Sequence, residues 1–114
     1  MGMKKLAQQI VKFRDARDWK QFHNAKDCAI SLSLEASELL EHFQWKNWAD
    51  LEKALNEKKK DISHEIVDVL YWVLLLSHDL NIDIEESLKE KLLVNAEKYP
   101  IDKSKWNASK YTNF

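Results

Sequence analysis

Glycine and proline are almost missing from this sequence. Gly2 and Pro100 are the only two in 114 residues. So few breakers and turn formers exclude a fold of many short strands and tight hairpins, and fit long helices with short connections. Cysteine is as scarce. Cys28 stands alone, which rules out a disulfide within one chain and makes a reducing, cytoplasmic setting the simpler expectation. Its apolar surroundings mark it as a small core residue rather than a nucleophile. No signal-peptide pattern opens the chain. The longest apolar run, 66–77, contains Asp68 and is too short to cross a bilayer. The net charge is −1, so the one-signed field that nucleic acid or an anionic membrane attracts is lacking, and neither is an expected partner. A glycine-rich phosphate loop is absent, and no Ser/His/Asp or Cys/His triad is suggested by spacing.

What the chain does contain is helical periodicity. The length suits one domain, here 1–100, followed by a tail, 101–114. The pattern predicts an all-α bundle of four to five helices. The first covers 4–18, with Leu6, Ile10 and Phe13 on one face. The second follows the capping residue Asn24 and runs to about 43. A short third helix follows Asn47 and carries Trp48, Leu51 and Leu55. The fourth covers 61–80. The fifth starts at Asp83, whose partner Glu86 completes a capping box, and Pro100 stops it. In the tail, Trp106, Tyr111 and Phe114 suggest docking on another surface. The fourth helix is apolar nearly all round, from Val67 to Leu76. Such a helix is surrounded by protein, and a single bundle of this size struggles to enclose it. A homo-oligomer is therefore expected, with this helix near the subunit interface.

Two acidic pairs break the apolar pattern. Glu35-Ala36-Ser37-Glu38 lies within the apolar run 32–40, and Glu65-Ile66-Val67-Asp68 leads into the apolar run of the fourth helix. Residues three apart share a helical face, so each pair aims two carboxylates the same way. A single Glu-x-x-Glu usually means a solvated face. Here Asp68 is flanked by Val67, Val69, Leu70 and Trp72, which predicts its enclosure, and the second pair sits on another long helix that can face the first. A buried carboxylate is costly without a partner. A hard divalent cation with oxygen ligands is the natural partner, and Mg²⁺ characteristically takes substrate phosphates as its remaining ligands. A di-iron bundle fits less well, because it needs two Glu-x-x-His motifs.

A nucleotide held this way needs a ring surface and positive charge as well. Five tryptophans are present. Trp19, Phe22 and His23 lie between the first two helices, and Trp45 and Trp48 follow the first carboxylate pair. Core or loop anchoring accounts equally well for any one of them. On the fifth helix Lys91, Asn95 and Tyr99 are spaced by four and share a face. Lys91 suits phosphate, and Asn95 suits a base edge.

Taken in order, these segments resemble a known family. Arg14-Asp15-x-Arg17-Asp18-Trp19-x-Gln21-Phe22-His23 is similar to the opening of the MazG-like, all-α nucleoside triphosphate pyrophosphohydrolases, closest to their dCTP pyrophosphatase branch. Glu35-x-x-Glu38-Leu39-x-Glu41-x-Phe43-Gln44-Trp45 resembles that branch's first metal motif. Glu65-x-x-Asp68-Val69-Leu70 resembles its second, and Lys91-x-x-x-Asn95-x-x-x-Tyr99-Pro100 its C-terminal helix. The resemblance covers roughly 10–100. It implies that Glu35, Glu38, Glu65 and Asp68 bind Mg²⁺, that Glu35 or Glu38 orients the attacking water, and that Trp19, His23 and Trp45 line the base pocket. It implies Lys91 on phosphate and Asn95 and Tyr99 on the nucleotide, in an assembly that is typically tetrameric rather than dimeric. The implied reaction splits the triphosphate between its α and β phosphates, and the implied role is removal of unwanted or modified cytosine nucleotides. One departure leaves the base preference open: some relatives carry a base-contacting histidine on the first helix, where this chain has Ile10. The competing expectations are a dUTP or broad-specificity enzyme of the same fold, and a non-catalytic helical module for oligomerisation or regulation.

Overall fold

The computed structural model describes residues 2–106, 108 and 112. Every regular element among the described residues is helical: α1 (Met3–Asp15), a 3₁₀ turn (Trp19–Phe22), α2 (Ala25–Glu41), α3 (Trp48–Glu57), α4 (Lys59–Asp79), α5 (Ile84–Lys98) and α6 (Ile101–Ser104). The chain divides into two compact units, Met1–Ile82 and Asp83–Phe114.

Three helices start where a short polar side chain catches a free backbone N–H. Asn24 Oδ1 accepts from Asp27 N at 2.8 Å, Asn47 Oδ1 from Asp50 N at 3.0 Å, and Asp83 Oδ1 from Glu86 N at 3.1 Å. The first helix ends three residues earlier than its periodicity suggests. It stops at Asp15, and Asp18 turns the chain with φ 55° before the 3₁₀ turn. With no glycine to take left-handed corners, Asp18, Trp45 and Asn81 take them in the first unit; Asp and Asn tolerate that region best. Asn81 closes α4 in a Schellman arrangement, in which Ile82 N donates to Ser77 O at 2.8 Å and Asn81 N to His78 O at 3.0 Å.

In the first unit α4 is the shared element, with α2, α1 and α3 packed on it. His42 pairs with Glu65, and the ring of His23 lies 5.2 Å from that of Trp72. Rising numbers on the α2 side meet falling numbers on α4, so these helices run antiparallel. Leu6, Ile10 and Phe13 line a groove with Val67, Leu70, Tyr71 and Leu74, so α1 lies along α4. The buried apolar side chains are Cys28, Ala54, Ile62, Leu74 and Leu75, which agrees with a packing role for the cysteine. Arg14 is buried with them at 1% exposure. It donates from Nη1 to Asp79 Oδ2 at 2.7 Å and from Nε to Asp15 Oδ1 at 3.0 Å, pinning the end of α1 to the end of α4.

Not all of α4 is covered. Ile66 and Val67 are 52% and 54% exposed, so the turn that carries the second acidic pair is open in this chain. In the second unit, Tyr99 N caps α5 by donating to Asn95 O at 2.8 Å. Pro100 follows the end of α5, as expected, and then opens the short α6 in the segment read as a tail. Trp106 is 96% exposed, so the docking expected of the tail is not seen at that residue; Tyr111 and Phe114 lie outside the described residues.

Candidate active site

Antiparallel packing of α2 on α4 brings the two acidic pairs together. One carboxylate oxygen from each of Glu35, Glu38 and Glu65 lies within 4.8 Å of the others. Helical spacing explains this directly: Glu35 and Glu38 share a face of α2, and Glu65 meets them from α4. Glu35 and Glu65 are half-buried, and each keeps one buried oxygen, Oε2, without a hydrogen-bond partner.

The electrostatics follow from that crowding. Burial pushes the Glu35 carboxyl from its ordinary 4.5 up to about 7, and the hydrogen bond with Glu38 and the nearby Glu38, Asp68 and Glu65 charges add to the rise. Glu65 is raised for the same leading reason, with Glu38 and Asp68 pushing further and His42 opposing. Anions so placed lack a cation. Orphaned buried oxygens and an all-oxygen donor set fit a hard divalent ion, which Glu35, Glu38 and Glu65 are placed to hold.

Asp68 departs from expectation. It is exposed rather than enclosed, because its neighbours Ile66 and Val67 are themselves half-open to solvent. It nevertheless stands beside the acidic group, and with Glu35 it lines a cleft of about 550 Å³.

The other walls of that cleft are Phe13, Trp19, Phe22, His23, Tyr71 and Trp72. Five of the rings form a closed circuit of edge-to-face neighbours. Centroid distances are 5.8 Å for Phe13–Trp19, 6.3 Å for Trp19–His23, 5.2 Å for His23–Trp72, 5.1 Å for Trp72–Tyr71 and 6.3 Å for Tyr71–Phe13. His23 Nδ1 is buried without a partner. The expected base-pocket residues Trp19 and His23 are thus in place. Phe13, Tyr71 and Trp72 were not singled out by sequence, although Tyr71 and Trp72 follow Asp68 at i+3 and i+4 and so share its face.

Trp45 and the two arginines of the first motif have other surroundings. Trp45 does not line this cleft. It lies beyond the C-terminal end of α2, at φ 68° and 93% exposed, whereas the cleft opens beside the turn that precedes α2. Arg14 is committed to Asp79 and Asp15, while the Arg17 guanidinium sits 3.7 Å from the centroid of Phe13, a cleft wall. In the second unit, Lys91 and Asn95 lie one helical turn apart on α5 and Tyr99 caps its end.

Comparison with known proteins gives the family. Residues 30–114 match the model of the MazG-like family. The chain is 31% identical over 111 residues to dCTP pyrophosphatase 1 of Mus musculus, covering 90% of this chain and 62% of that protein. The protein of the same name from Rattus norvegicus is 33% identical over 105 residues, with the same coverage of 90% and 62%. The chain thus spans about three-fifths of the length of these curated relatives. Among solved structures, a pyrophosphatase from Archaeoglobus fulgidus DSM 4304 matches with a TM-score of 0.81 and 39% identity, covering 86% of this chain and 92% of that one.

Proposed function

This chain belongs to the MazG-like family, and on that premise we propose that it is a Mg²⁺-dependent nucleoside triphosphate pyrophosphohydrolase acting on dCTP or a modified dCTP. One observation carries the reading. Glu35 belongs both to the three-carboxylate group and to the wall of the aromatic cleft. A base seated among Trp19, His23 and Trp72 therefore has its phosphates directed toward the acidic side chains.

Glu35, Glu38, Glu65 and Asp68 are assigned to the ion. When bound, Mg²⁺ neutralises phosphate charge and orients the chain for in-line attack. Glu35 or Glu38 orients a water against the α-phosphorus. The new bond joins that water's oxygen to the α-phosphorus. The bond from the α-phosphorus to the bridging oxygen breaks, and pyrophosphate departs with that oxygen, leaving the monophosphate. Stacking on the rings gives affinity to any base. Choice among bases needs hydrogen bonds, because an analogue without the matching group leaves a buried polar atom unpaired.

Lys91 as a phosphate contact, Asn95 and Tyr99 as nucleotide contacts, and Trp45 as a further base contact rest on their match to the family motifs. A homotetramer of a single-domain chain, working in the cytoplasm to clear unwanted nucleotides, completes the reading; the unpaired, buried Cys28 is in keeping with a reducing setting.

A broader base preference is favoured by one observation. Ile10 stands where some relatives carry a base-contacting histidine, and its apolar side chain has no donor or acceptor to offer a base. A panel of deoxynucleoside triphosphates with Mg²⁺, products identified by mass, tests all three readings. Selective conversion of dCTP to dCMP and pyrophosphate supports the proposal. Equal turnover of dUTP and others supports the broad enzyme. No Mg²⁺-dependent turnover of any triphosphate leaves the non-catalytic module.

A further inference from the structure

His42 is left unused by the reading above. It sits at the C-terminal cap of α2, four residues after Glu38 and seven after Glu35, and so continues their stripe on the same helical face. Antiparallel packing places it against Glu65: His42 Nε2 lies 3.9 Å from Glu65 Oε1, and both side chains are largely shielded, at 17% and 24% exposure. The two oxygens of Glu65 therefore have separate surroundings. Oε1 faces the imidazole, whereas Oε2 is buried with no hydrogen-bond partner.

We propose that His42 is a positioning residue for the divalent-ion site, holding Glu65 by Oε1 so that the carboxylate stays turned toward Glu35 and Glu38. Imidazole is a poor match for a hard oxygen-seeking ion such as Mg²⁺, so the role assigned to His42 is contact with the ligand, not with the ion. At 3.9 Å the pair is wider than a hydrogen bond; such an outer contact still restricts the carboxylate, and a ligand with less side-chain freedom to lose on coordination binds more tightly. Without His42, Glu65 keeps only its contact with the like-charged Glu38.

The inference rests on the acidic group being an ion site, and the test separates the two. Mn²⁺ is titrated calorimetrically into the nucleotide-free protein, with unfolding midpoints recorded for each variant without metal. His42→Leu is expected to weaken Mn²⁺ by about tenfold, the lower end of outer-shell effects. His42→Gln, whose amide nitrogen reaches as far as Nε2, is expected to restore most of that loss. Unchanged affinity in His42→Leu overturns the inference while leaving the ion site intact, and so does a His42→Gln protein as weak as His42→Leu. A lower unfolding midpoint with unchanged Mn²⁺ affinity overturns it as well, by reducing His42 to packing. Failure of the unsubstituted protein to bind Mn²⁺ removes the ion site itself, and this inference with it.

Discussion

Glu35 is where burial, charge repulsion and the cleft meet. Its raised pKa fixes a sign. The folded, metal-free protein keeps a proton on Glu35 between the ordinary 4.5 and about 7, where the unfolded chain has released it. Stability from this group is full below pH 4.5 and is lost as pH rises through about 7. Thermal melts without metal should therefore fall over that window, and Glu35→Gln should flatten the fall. Mg²⁺ should raise the midpoint more at pH 8 than at pH 5, because protons compete with the ion at low pH. Glu38→Gln should lower the turnover number by about tenfold or more, measured as pyrophosphate release. The three-residue spacing made Glu35 and Glu38 legible as one face of α2 and marked Glu65 on α4, while their meeting needed the antiparallel packing of the two helices. The exposure of Asp68 was not legible. Apolar neighbours in sequence imply enclosure only if something packs on that side, and Ile66 and Val67 remain half-open.

The helices were readable where a side chain closes their ends. Asn24, Asn47 and Asp83 each accept the backbone hydrogen bond that their position suggests. Asn24→Ala should cost about 1 kcal/mol in denaturant unfolding. The left-handed corner at Asn81 was hidden, because no glycine marks it. Replacing Asn81 by Gly should stabilise the chain by several tenths of a kcal/mol, and Asn81→Val should destabilise it, since a β-branched residue resists φ 56°. The 3₁₀ turn after α1 and the closed circuit of rings were equally unreadable. Both depend on the direction in which α1 returns to α4, which periodicity does not encode. Arg14 shows the same gap: an arginine in the sequence suggests surface or phosphate, but here it is an internal tie between α1 and Asp79. Arg14→Met should cost about 3 kcal/mol, by leaving the shielded Asp79 carboxylate with only the His78 ring beside it; chemical denaturation measures it.

At the level of the molecule, the apolar excess of α4 and α2 remains to be accounted for. Ile30, Leu34, Ile66 and Val67 are each about half exposed or more, and exposed apolar side chains, where they join into a patch, mark a contact with another protein. Sedimentation at micromolar concentration should give an assembly of identical chains, with a tetramer favoured over a dimer. Ile30→Glu should shift it toward smaller species, because a charge at a buried contact lacks a partner. A monomer at those concentrations would leave these side chains unexplained. The most direct measurement of the whole account is anomalous diffraction from crystals grown with Mn²⁺ and a non-hydrolysable dCTP analogue. The expected result is a metal peak bonded to carboxylates of both α2 and α4, among them Glu35, Glu38 and Glu65, with the base against Trp19, His23 and Trp72. A nucleotide bound elsewhere, and no metal between those two helices, would contradict it.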